Sequence, residues 1–333
     1  MTVSTPYRTR IAGTGSYLPE KILTNADLEK MVDTNDQWIV ERTGIRERRI
    51  AAPGQVTSDL AYNAATKALE AAKMTASDID MIIVATVSPD QSMPSTACIL
   101  QAKLGCGTIM AFDLSAACSG FLYSMGIADQ FIRTGIYKNI LIVGAEILHN
   151  VVNYKDRETC ILFGDGAGCA ILSRAEPGDR NVIQSVHLHA DGSLADLLSL
   201  PAGGSVMPLS QEVLDSGSHY LRMKGREIYK NAVRTMTFCC QEALEANQMT
   251  VADIDWLIPH QANLRILESV AGYFKIPSEK VIVNLRRTGN TSAASVPIAL
   301  DESIREGKIK RGEMILMTVF GAGLTSGSLM VRY

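Results

Sequence analysis

The chain has 333 residues, of which 47% are hydrophobic and 20% charged, a composition typical of a globular enzyme with an ample core. Its net charge of −3 argues against nucleic acid as a general partner. The polar start has no signal-peptide core and the apolar runs are too short to span a bilayer, so we expect a cytoplasmic protein with no membrane partner.

Helices and buried strands alternate along the chain. Apolar residues at helical spacing predict a helix over residues 58–73, with residues 57–59 as candidates for its N-terminal cap. The continuous apolar run "DMIIVATV" (80–87) predicts a strand that is covered on both faces, and "NILIVGAE" (139–146) and "MILMTVF" (314–320) have the same character. This alternation indicates an α/β fold.

Two pairs of segments repeat at nearly the same distance. The segment "ALEAAKMTASDID" (68–80) matches "ALEANQMTVADID" (243–255) at nine of 13 positions, a shift of 175 residues. A second pair, "IRTG" (132–135) and "IREG" (304–307), is shifted by 172. We infer a duplication in which one loop differs by three residues between the copies. The period is that of a domain, not of a solenoid repeat.

The duplication predicts two halves of one architecture, an N-terminal half over residues 1–180 and a C-terminal half over residues 181–333. Each half would contribute one sheet with helices on its faces. Two such halves packed together give five layers, α/β/α/β/α. The central helices would be shared by both halves and buried, which suits the helix after residue 120 because it is apolar on nearly every side.

The segment "DLSAACSGF" (113–121) brings one cysteine, Cys118, to the start of that apolar helix. The chain has seven cysteines without C-x-x-C spacing, and the odd number argues against a disulfide framework. A helix N-terminus carries about half a positive charge and free N–H groups, which predicts a lowered thiol pKa and a place for an oxyanion. Cys118 is therefore the candidate nucleophile of the N-terminal half.

The two shifts also predict which polar residues face Cys118. The shift of 175 carries Ala85, at the end of a strand, onto His260, and the shift of 172 carries Cys118 onto Asn290. His260 would then follow the carboxyl end of a strand, where α/β sheets place their chemistry. Alone, His260 could be a structural histidine and Asn290 a helix cap. Together they predict a Cys–His–Asn site where the halves meet.

The chain resembles the 3-oxoacyl-[acyl-carrier-protein] synthase III family, the initiating condensing enzymes of bacterial type II fatty-acid synthesis, which have a thiolase-like fold. A cysteine followed by HQAN and GNTS, in that order, distinguishes this branch from elongating condensing enzymes and thiolases. The motifs that carry the resemblance are "GTGSYLPE" (13–20), "WIVERTGIRER" (38–48), "AACSGF" (116–121), "FGDGAG" (163–168), "LHADGS" (188–193), "PHQANLRI" (259–266), "GNTSAASVP" (289–297) and "FGAGLTSGS" (320–328).

The resemblance implies a two-step reaction without a metal or redox cofactor. Cys118 would take an acyl group from acyl-CoA, with acetyl-CoA as the expected donor, and malonyl-acyl-carrier protein would then lose CO2. His260 and Asn290 would stabilise the enolate, which attacks the thioester to give 3-oxoacyl-acyl-carrier protein. The backbone N–H groups of Cys118 and Ala322 would hold the tetrahedral oxyanion. The family often has glycine where Ala322 stands, and alanine where Ser119 stands.

The resemblance also implies substrate contacts and a homodimer. Met93 would reach across the dimer interface to close the partner's acyl pocket, and its pliable side chain predicts that this pocket accepts more than acetyl. The implied residues are Trp38, Arg42, Arg157 and Asn263 for coenzyme A; Arg265, Lys230 and Arg226, with Lys275 as a further candidate, for the acyl carrier protein; and Met93, Tyr229 and Phe320 for the acyl pocket and channel.

Other interpretations of the same residues stay open. A condensing enzyme or acyltransferase of specialised metabolism would use the same three side chains on a different acyl-CoA or carrier. A cysteine hydrolase would use Cys118 and His260 to release free acid, and a non-catalytic homologue would only bind an acyl carrier. A metal site is not predicted, because His187 and His189 alternate on a strand without a third ligand.

Overall fold

The structure is a computed structural model that describes residues 6–333. The strands are β1 (Thr9–Tyr17), β2 (Lys21–Thr24), β3 (Glu47–Ile50), β4 (Met81–Ala85), β5 (Met110–Leu114), β6 (Asn139–Glu146), β7 (Gly166–Arg174), β8 (Ile183–His189), β9 (Leu198–Ser199), β10 (Arg222–Met223), β11 (Trp256–Pro259), β12 (Met314–Phe320) and β13 (Ser326–Arg332). The helices are α1 (Asn25–Leu28), α2 (Asp36–Thr43), α3 (Thr57–Ala72), α4 (Thr96–Leu104), α5 (Gly120–Arg133), α6 (Gln211–Asp215), α7 (Gly225–Ala246), α8 (Leu264–Tyr273), α9 (Leu285–Thr288) and α10 (Ser295–Arg305).

Two mixed sheets form the frame of the molecule. In the five-stranded sheet, ordered β1-β7-β6-β4-β5, the strand β4 runs parallel to β5 and β6, and β7 runs antiparallel to β6 and β1. In the four-stranded sheet, ordered β11-β12-β13-β8, the strand β11 is parallel to β12, and β13 is antiparallel to both of its neighbours. The second sheet therefore repeats the first, except that a single parallel bridge between Leu257 and Val281 takes the place of β5.

The helices complete five layers. α3 and α4 pack on the outer face of the five-stranded sheet, α7 packs on the outer face of the four-stranded sheet beside α8, and α5 and α10 lie between the sheets. Phe121, Leu122 and Met125 of α5 belong to one buried cluster with residues from both sheets. The arrangement is the α/β/α/β/α sandwich that the duplication predicts, whereas the division of the chain at residue 180 stays a prediction.

The predicted helix over residues 58–73 is α3, but its cap differs from the prediction. Val56 is the N-cap residue, and the carboxylate of Asp59 accepts its N–H at 3.0 Å. The side chains of Thr57 and Ser58 donate instead to the loop that follows β4. Hydroxyl groups at a helix start satisfy whichever acceptor the tertiary fold brings near, and local spacing cannot identify that acceptor.

The matched segments of the repeat adopt the same local structure. In each, a residue in the left-handed region follows the helix, Lys73 at φ 55° directly after α3 and Gln248 at φ 54° two residues after the end of α7. Each segment ends with an aspartate whose carboxylate accepts the N–H of the first residue of a strand at 2.8 Å. Asp80 accepts from the first residue of β6, and Asp255 accepts from the first residue of β12. The two segments thus end a helix in the same way, and the aspartate that they share ties each of them to a strand.

The register of the repeat near Cys118 differs from the predicted one. Single 3₁₀ turns, Ala117–Ser119 and Ser292–Ala294, precede α5 and α10 at a shift of 175. α5 has 14 residues and α10 has 11. The loop from α10 to β12 is three residues longer than the loop from α5 to β6, so β12 again begins 175 residues after β6. The helix, and not only a loop, is therefore shorter. The equivalent of Cys118 is Ala293, so the predicted pairing of Cys118 with Asn290 is wrong.

Candidate active site

A cavity of about 90 Å³ lies between the halves, and Cys118, His260 and Asn290 all line it. Cys118 lies in the turn before α5, His260 directly follows β11, and Asn290 precedes the turn before α10. The structure therefore brings the three predicted side chains to one cavity, although not through the predicted symmetry. The other walls are mostly apolar and are formed by Leu162, Phe163, Leu198, Met223, Gly225, Ile228, Tyr229, Ala232, Met236, Ala262, Asn263, Ile266, Phe320 and Gly321.

Cys118 is 7% exposed, and burial raises the pKa of its thiol to about 12. The side chain of Ser292 and the cysteine's own backbone N–H lower this pKa, but burial is the largest cause. The predicted lowering of the thiol pKa is therefore wrong. The thiol form is favoured at neutral pH, so the proton must leave when the sulfur reacts.

His260 is 3% exposed, and burial lowers its pKa to about 3, which keeps the ring neutral at neutral pH. Its Nδ1 lies 2.6 Å from the hydroxyl oxygen of Ser295. That oxygen also accepts the N–H of Gln261 at 3.4 Å, which leaves the serine hydrogen free to bond to Nδ1. With Nδ1 as the acceptor, the single proton of the neutral ring is on Nε2, where it can be donated to a ligand.

Asn290 is 6% exposed, and its amide has a defined orientation. The side-chain Oδ1 accepts the backbone N–H of Ser292 at 2.8 Å. The backbone N–H of Asn290 in turn donates to the carbonyl of Leu162 at 2.8 Å. Because Oδ1 is occupied, the NH2 group is the part of the side chain available to a ligand. The cavity thus holds a thiol beside two neutral hydrogen-bond donors.

The loop after β12 passes directly beside the nucleophile. A Cβ atom on Gly321 would lie 2.8 Å from the backbone nitrogen of Cys118, so only glycine permits this approach. Ala322 follows and is half-buried, and the left-handed residues of this loop are Gly323 at φ 70° and Leu324 at φ 45°. An alanine at position 322 is therefore unstrained. Gly321, and not Ala322, lines the cavity, and the oxyanion role of the Ala322 N–H stays a prediction.

A wider cleft of about 1140 Å³ adjoins the cavity and shares Leu162, Met223, Gly225, Tyr229 and Asn263 with it. It contains the three arginine and lysine residues predicted to bind an acyl carrier. It also contains Lys224, which the sequence analysis missed although it stands next to the predicted cluster. The charged side chains of the cleft are Arg42, Lys224, Arg226, Lys230 and Arg265 on the positive side and Glu158 and Glu227 on the negative side.

Trp38 lies on α2 at the wall of this cleft. The guanidinium carbons of Arg42 and Arg157 lie 4.6 and 4.2 Å from the centre of its ring, within cation–π range. Arg157 also lies 3.7 Å from the carboxylate of Asp33. The structure therefore brings together three of the four residues predicted to bind coenzyme A, on one aromatic surface.

Asn263, the fourth of these residues, already has hydrogen-bond partners within the protein. Its Oδ1 caps α8 by accepting the N–H of Arg265 at 2.9 Å, and its Nδ2 donates to the carbonyl of Arg42 at 3.0 Å. It lines both the cavity and the cleft. Its side chain therefore links two walls of the cleft, and a contact with coenzyme A stays a prediction.

The predicted channel residues fall into two groups. Phe320 is 4% exposed and lines the cavity, and Tyr229 lines both the cavity and the cleft, with its hydroxyl 2.9 Å from that of Ser269. Met93 is 84% exposed and does not line the cavity of its own chain. Lys275, the further carrier candidate, is exposed and lies outside the lining of the cleft.

The strand histidines make a different contact from metal coordination. His189 and His187 both face Glu242, with nitrogen-to-oxygen distances of 2.6 and 3.7 Å. Within residues 6–333, no group of three or more histidine, cysteine or acidic side chains is arranged to hold a metal ion. Across the same residues, no helix has the length and apolar character needed to cross a membrane.

Comparison with known proteins supports the resemblance. Models of 3-oxoacyl-[acyl-carrier-protein (ACP)] synthase III match residues 112–192 and, for its C-terminal part, residues 244–333. A beta-ketoacyl-[acyl-carrier-protein] synthase III of Caldanaerobacter subterraneus subsp. tengcongensis is 55% identical over 97% of each chain. One of Xanthomonas campestris pv. campestris is 53% identical over 97% of this chain and 98% of its own.

A solved structure supports the fold. The 3-oxoacyl-[acyl-carrier-protein] synthase III from Aquifex aeolicus VF5 is 49% identical and superposes with a TM-score of 0.90 over 98% of this chain and 100% of its own. The predicted α/β fold of the thiolase-like type, with five layers from two duplicated halves, is confirmed.

Proposed function

Because the chain belongs to the 3-oxoacyl-[acyl-carrier-protein] synthase III family of acyl-transferring condensing enzymes, we propose that it catalyses the initiating condensation of type II fatty-acid synthesis. An acyl-CoA, expected to be acetyl-CoA, and malonyl-acyl-carrier protein give 3-oxoacyl-acyl-carrier protein, CO2 and CoA. The observation that carries this proposal is the thiol of Cys118 in one buried cavity with two neutral donors, His260 and Asn290.

In the first step, the sulfur of Cys118 attacks the thioester carbonyl of the acyl-CoA. A bond forms between Sγ and the carbonyl carbon, the bond to the coenzyme sulfur breaks, and the acyl group remains on the cysteine. The negative oxygen of the tetrahedral intermediate needs donors placed for it, and the backbone N–H groups of Cys118 and Ala322 are proposed for this role. The buried, mostly apolar cavity would strengthen these hydrogen bonds.

In the second step, the malonyl group loses CO2 and leaves an enolate. The Nε2–H of His260 and the NH2 group of Asn290 would both donate to the enolate oxygen. Neutral donors suit this role because they form no ion pair with the malonyl carboxylate. An ion pair would stabilise the carboxylate before CO2 is lost and would so slow the step. The carbanion then attacks the acyl carbon on Cys118, and loss of CO2 supplies the driving force without a cofactor.

The wider cleft suits the large anionic parts of the two substrates. Trp38, Arg42 and Arg157 would hold the nucleotide end of coenzyme A, an aromatic ring and two cations for a base and phosphates. Asn263 would lie along its pantetheine arm. The carrier protein would bind the exposed side chains of Arg226, Lys230 and Arg265 at the same mouth, with Lys224 as an additional cation.

The remaining proposals concern the acyl group and the assembly. Tyr229 and Phe320 would line the channel from the cleft to Cys118. Met93 would close the acyl pocket of a partner subunit in a cytoplasmic homodimer, which agrees with its 84% exposure in the single chain. Rates of acylation with acetyl-, butyryl- and octanoyl-CoA test this role, and strict preference for acetyl-CoA would count against a pliable pocket.

The reaction can be tested in two stages. After incubation with acetyl-CoA, intact-mass measurement should show one acetyl group, and peptide mapping should place it on Cys118. Addition of malonyl-acyl-carrier protein should then release CO2 and form acetoacetyl-acyl-carrier protein. Cys118→Ala should accept no acetyl group, which serves as the matched control.

Two other results would contradict the proposal. Release of free acid from acyl-CoA without malonyl carrier would indicate a hydrolase. An acetyl-enzyme that forms but does not react with malonyl-acyl-carrier protein would indicate an acyltransferase with a different acceptor, such as one of specialised metabolism.

A further inference from the structure

Glu146, the last residue of β6, is fully buried and unevenly bonded. Its Oε2 accepts three hydrogen bonds, from the hydroxyl of Ser88 at 2.6 Å, the N–H of Val87 at 3.1 Å and the hydroxyl of Thr86 at 3.2 Å. Its Oε1 is buried and has no hydrogen-bond partner. A buried carboxyl oxygen without a partner is costly, and such a group calls for an explanation.

The unpartnered oxygen belongs to a strand end that packs against the active-site turns. The turn Ser292–Ala294 lies so close to β6 that a Cβ atom on Gly144 would collide with the carbonyl oxygen of Ala293. On its other side, the same turn meets the start of α5, where a Cβ atom on Gly120 would lie 3.6 Å from the Cβ of Ala293. The turn thus separates the end of β6 from the nucleophile.

Ser292 is the polar side chain of that turn. It is 3% exposed and stands at φ 49°, a strained backbone position for a residue other than glycine. Its hydroxyl lowers the pKa of the Cys118 thiol and that of the Glu146 carboxyl, whereas Oε1 of Glu146 has no hydrogen-bond partner. The turn that contains Ser292 therefore lies between the end of β6, where Glu146 is, and the start of α5, where Cys118 is.

The chemistry of Cys118 requires a group that takes up the proton of the thiol. Two ionisable side chains face the thiol, His260 across the cavity and Glu146 behind the turn. His260 is a poor base because burial lowers its pKa to about 3, and its free nitrogen already carries the proton that it donates. Glu146 is in the opposite position, because burial raises the pKa of its carboxyl and so favours uptake of a proton.

We propose that Glu146 is a positioning residue that acts through Ser292 and stores the proton of Cys118 during each turnover. When Sγ attacks the acyl-CoA, its proton passes to the Ser292 oxygen while the serine proton passes to Oε1 of Glu146. The coenzyme leaves as a thiolate and takes a proton from solvent. When condensation releases the cysteine as a thiolate, the carboxylic acid returns the proton by the same path. This inference rests on the proposed function.

The test measures the reactivity of the Cys118 thiol and requires no acyl substrate. The rate of alkylation of Cys118 by iodoacetamide is followed from pH 5 to pH 10 in the whole protein and in two variants, Glu146→Gln and Ser292→Ala. Glutamine keeps an oxygen for the three bonds from the loop but accepts no proton in place of Oε1. Alanine is tolerated at the backbone angle of Ser292 because Ala117, its equivalent in the first half, stands at φ 46°.

Both variants should slow alkylation at pH 7 by at least tenfold, since a positioned base contributes roughly 10²- to 10⁴-fold. Their rates should then rise in proportion to hydroxide concentration, whereas the unaltered protein should show a plateau from its internal base. Glu302→Gln serves as the control, because the pKa of Glu302 is also raised by burial and its side chain lies outside the cavity. It should leave the pH profile unchanged.

Three results would overturn the proposal. Faster alkylation of Glu146→Gln would mean that the carboxylate only opposes the thiolate charge. An unchanged rate in that variant would mean that Glu146 only ties β6 to the loop after β4. A slow Glu146→Gln with a normal Ser292→Ala would remove the serine from the path. Transfer of acetyl to the unaltered protein, measured separately, distinguishes failure of this inference from failure of the proposed function.

Discussion

The turn Ala117–Ser119 in the first half and the turn Ser292–Ala294 in the second have the same backbone, with their first residues at φ 46° and 49°. Each precedes a helix that lies between the two sheets. The side chains differ: the second residue is Cys118 in one turn and Ala293 in the other. The half without the nucleophile supplies the groups around it, His260 and Asn290. The two copies therefore share the backbone of the turn, while the reactive side chain lies in one half and the donor side chains in the other.

Each turn packs on a strand end of the other half, and the equivalent residues there also differ. The turn with Cys118 lies against Gly321, directly after β12, where a side chain would collide with the cysteine nitrogen. The turn with Ala293 lies against the end of β6, where the equivalent of Gly321 is Glu146. One strand end leaves space for a reaction at the sulfur. The other places a buried carboxyl behind it.

The largest expected effect comes from removing a donor that only the second half supplies. Asn290→Asp keeps the oxygen that accepts the N–H of Ser292 but replaces the NH2 donor with an oxygen. Condensation should fall by roughly 10²- to 10³-fold, as for the loss of one oxyanion donor. The measurement is CO2 release from malonyl-acyl-carrier protein by the acetylated enzyme.

Acylation is the control in the same variant. Cys118 should still accept acetyl from acetyl-CoA at close to the rate of the unaltered protein, because Asn290 is assigned to the enolate step. An equal loss in both steps would contradict the assignment and indicate that Asn290 mainly shapes the turn.

A smaller effect is expected where the two halves touch. Gly321→Ala would place a Cβ atom 2.8 Å from the nitrogen of Cys118 and 3.2 Å from that of Ser119. Overpacking of this kind costs about 1–3 kcal/mol, and part of the strain should displace the nucleophile. We expect a lower free energy of unfolding in urea and acylation slower by about tenfold, since 1.4 kcal/mol corresponds to that factor.

Gly272→Ala is the matched control for this substitution. Gly272 lies in α8 with nothing within 4 Å of a new Cβ atom, so alanine there should stabilise the helix by about 0.5–1 kcal/mol and leave acylation unchanged. If Gly321→Ala also left acylation unchanged and did not lower the free energy of unfolding, the close approach at Gly321 would not be needed for function.

The features that the sequence predicted correctly are those that local or repeated sequence patterns determine. The apolar runs that predicted β6 and β12 match those strands end to end, and the identical segments of the repeat mark equivalent helix ends. The three side chains Cys118, His260 and Asn290 could be brought to one cavity because the motifs around them are distinctive. Buried strands and motifs of this kind do not depend on contacts between distant residues.

The features that were missed depend on contacts between the halves. The pKa of Cys118 is set by burial between two sheets, which the sequence of its own helix cannot reveal. Ser295 and Ser292 act on residues of other elements, His260 and Glu146, and nothing in their local sequence indicates those partners. The register error near Cys118 arose because α10 is shorter than α5 and the following loop is longer, so two differences cancel before β12.

The smallest expected effect concerns stability and distinguishes the buried histidine of the second half from an ordinary one. Because the folded pKa of His260 is lowered to about 3 from 6.5, the unfolded chain binds the extra proton between these values, and stability falls as pH falls below 6.5. This one proton should lower the free energy of unfolding by about 1 kcal/mol between pH 7 and pH 5.5.

Urea unfolding at fixed protein concentration should show that His260→Gln loses this part of the pH dependence, whereas His219→Gln, at a half-buried position outside the cavity, keeps it. Equal pH dependence in both variants would mean that the ring of His260 is protonated in the folded protein, and it could then no longer serve as the neutral donor that complements Cys118.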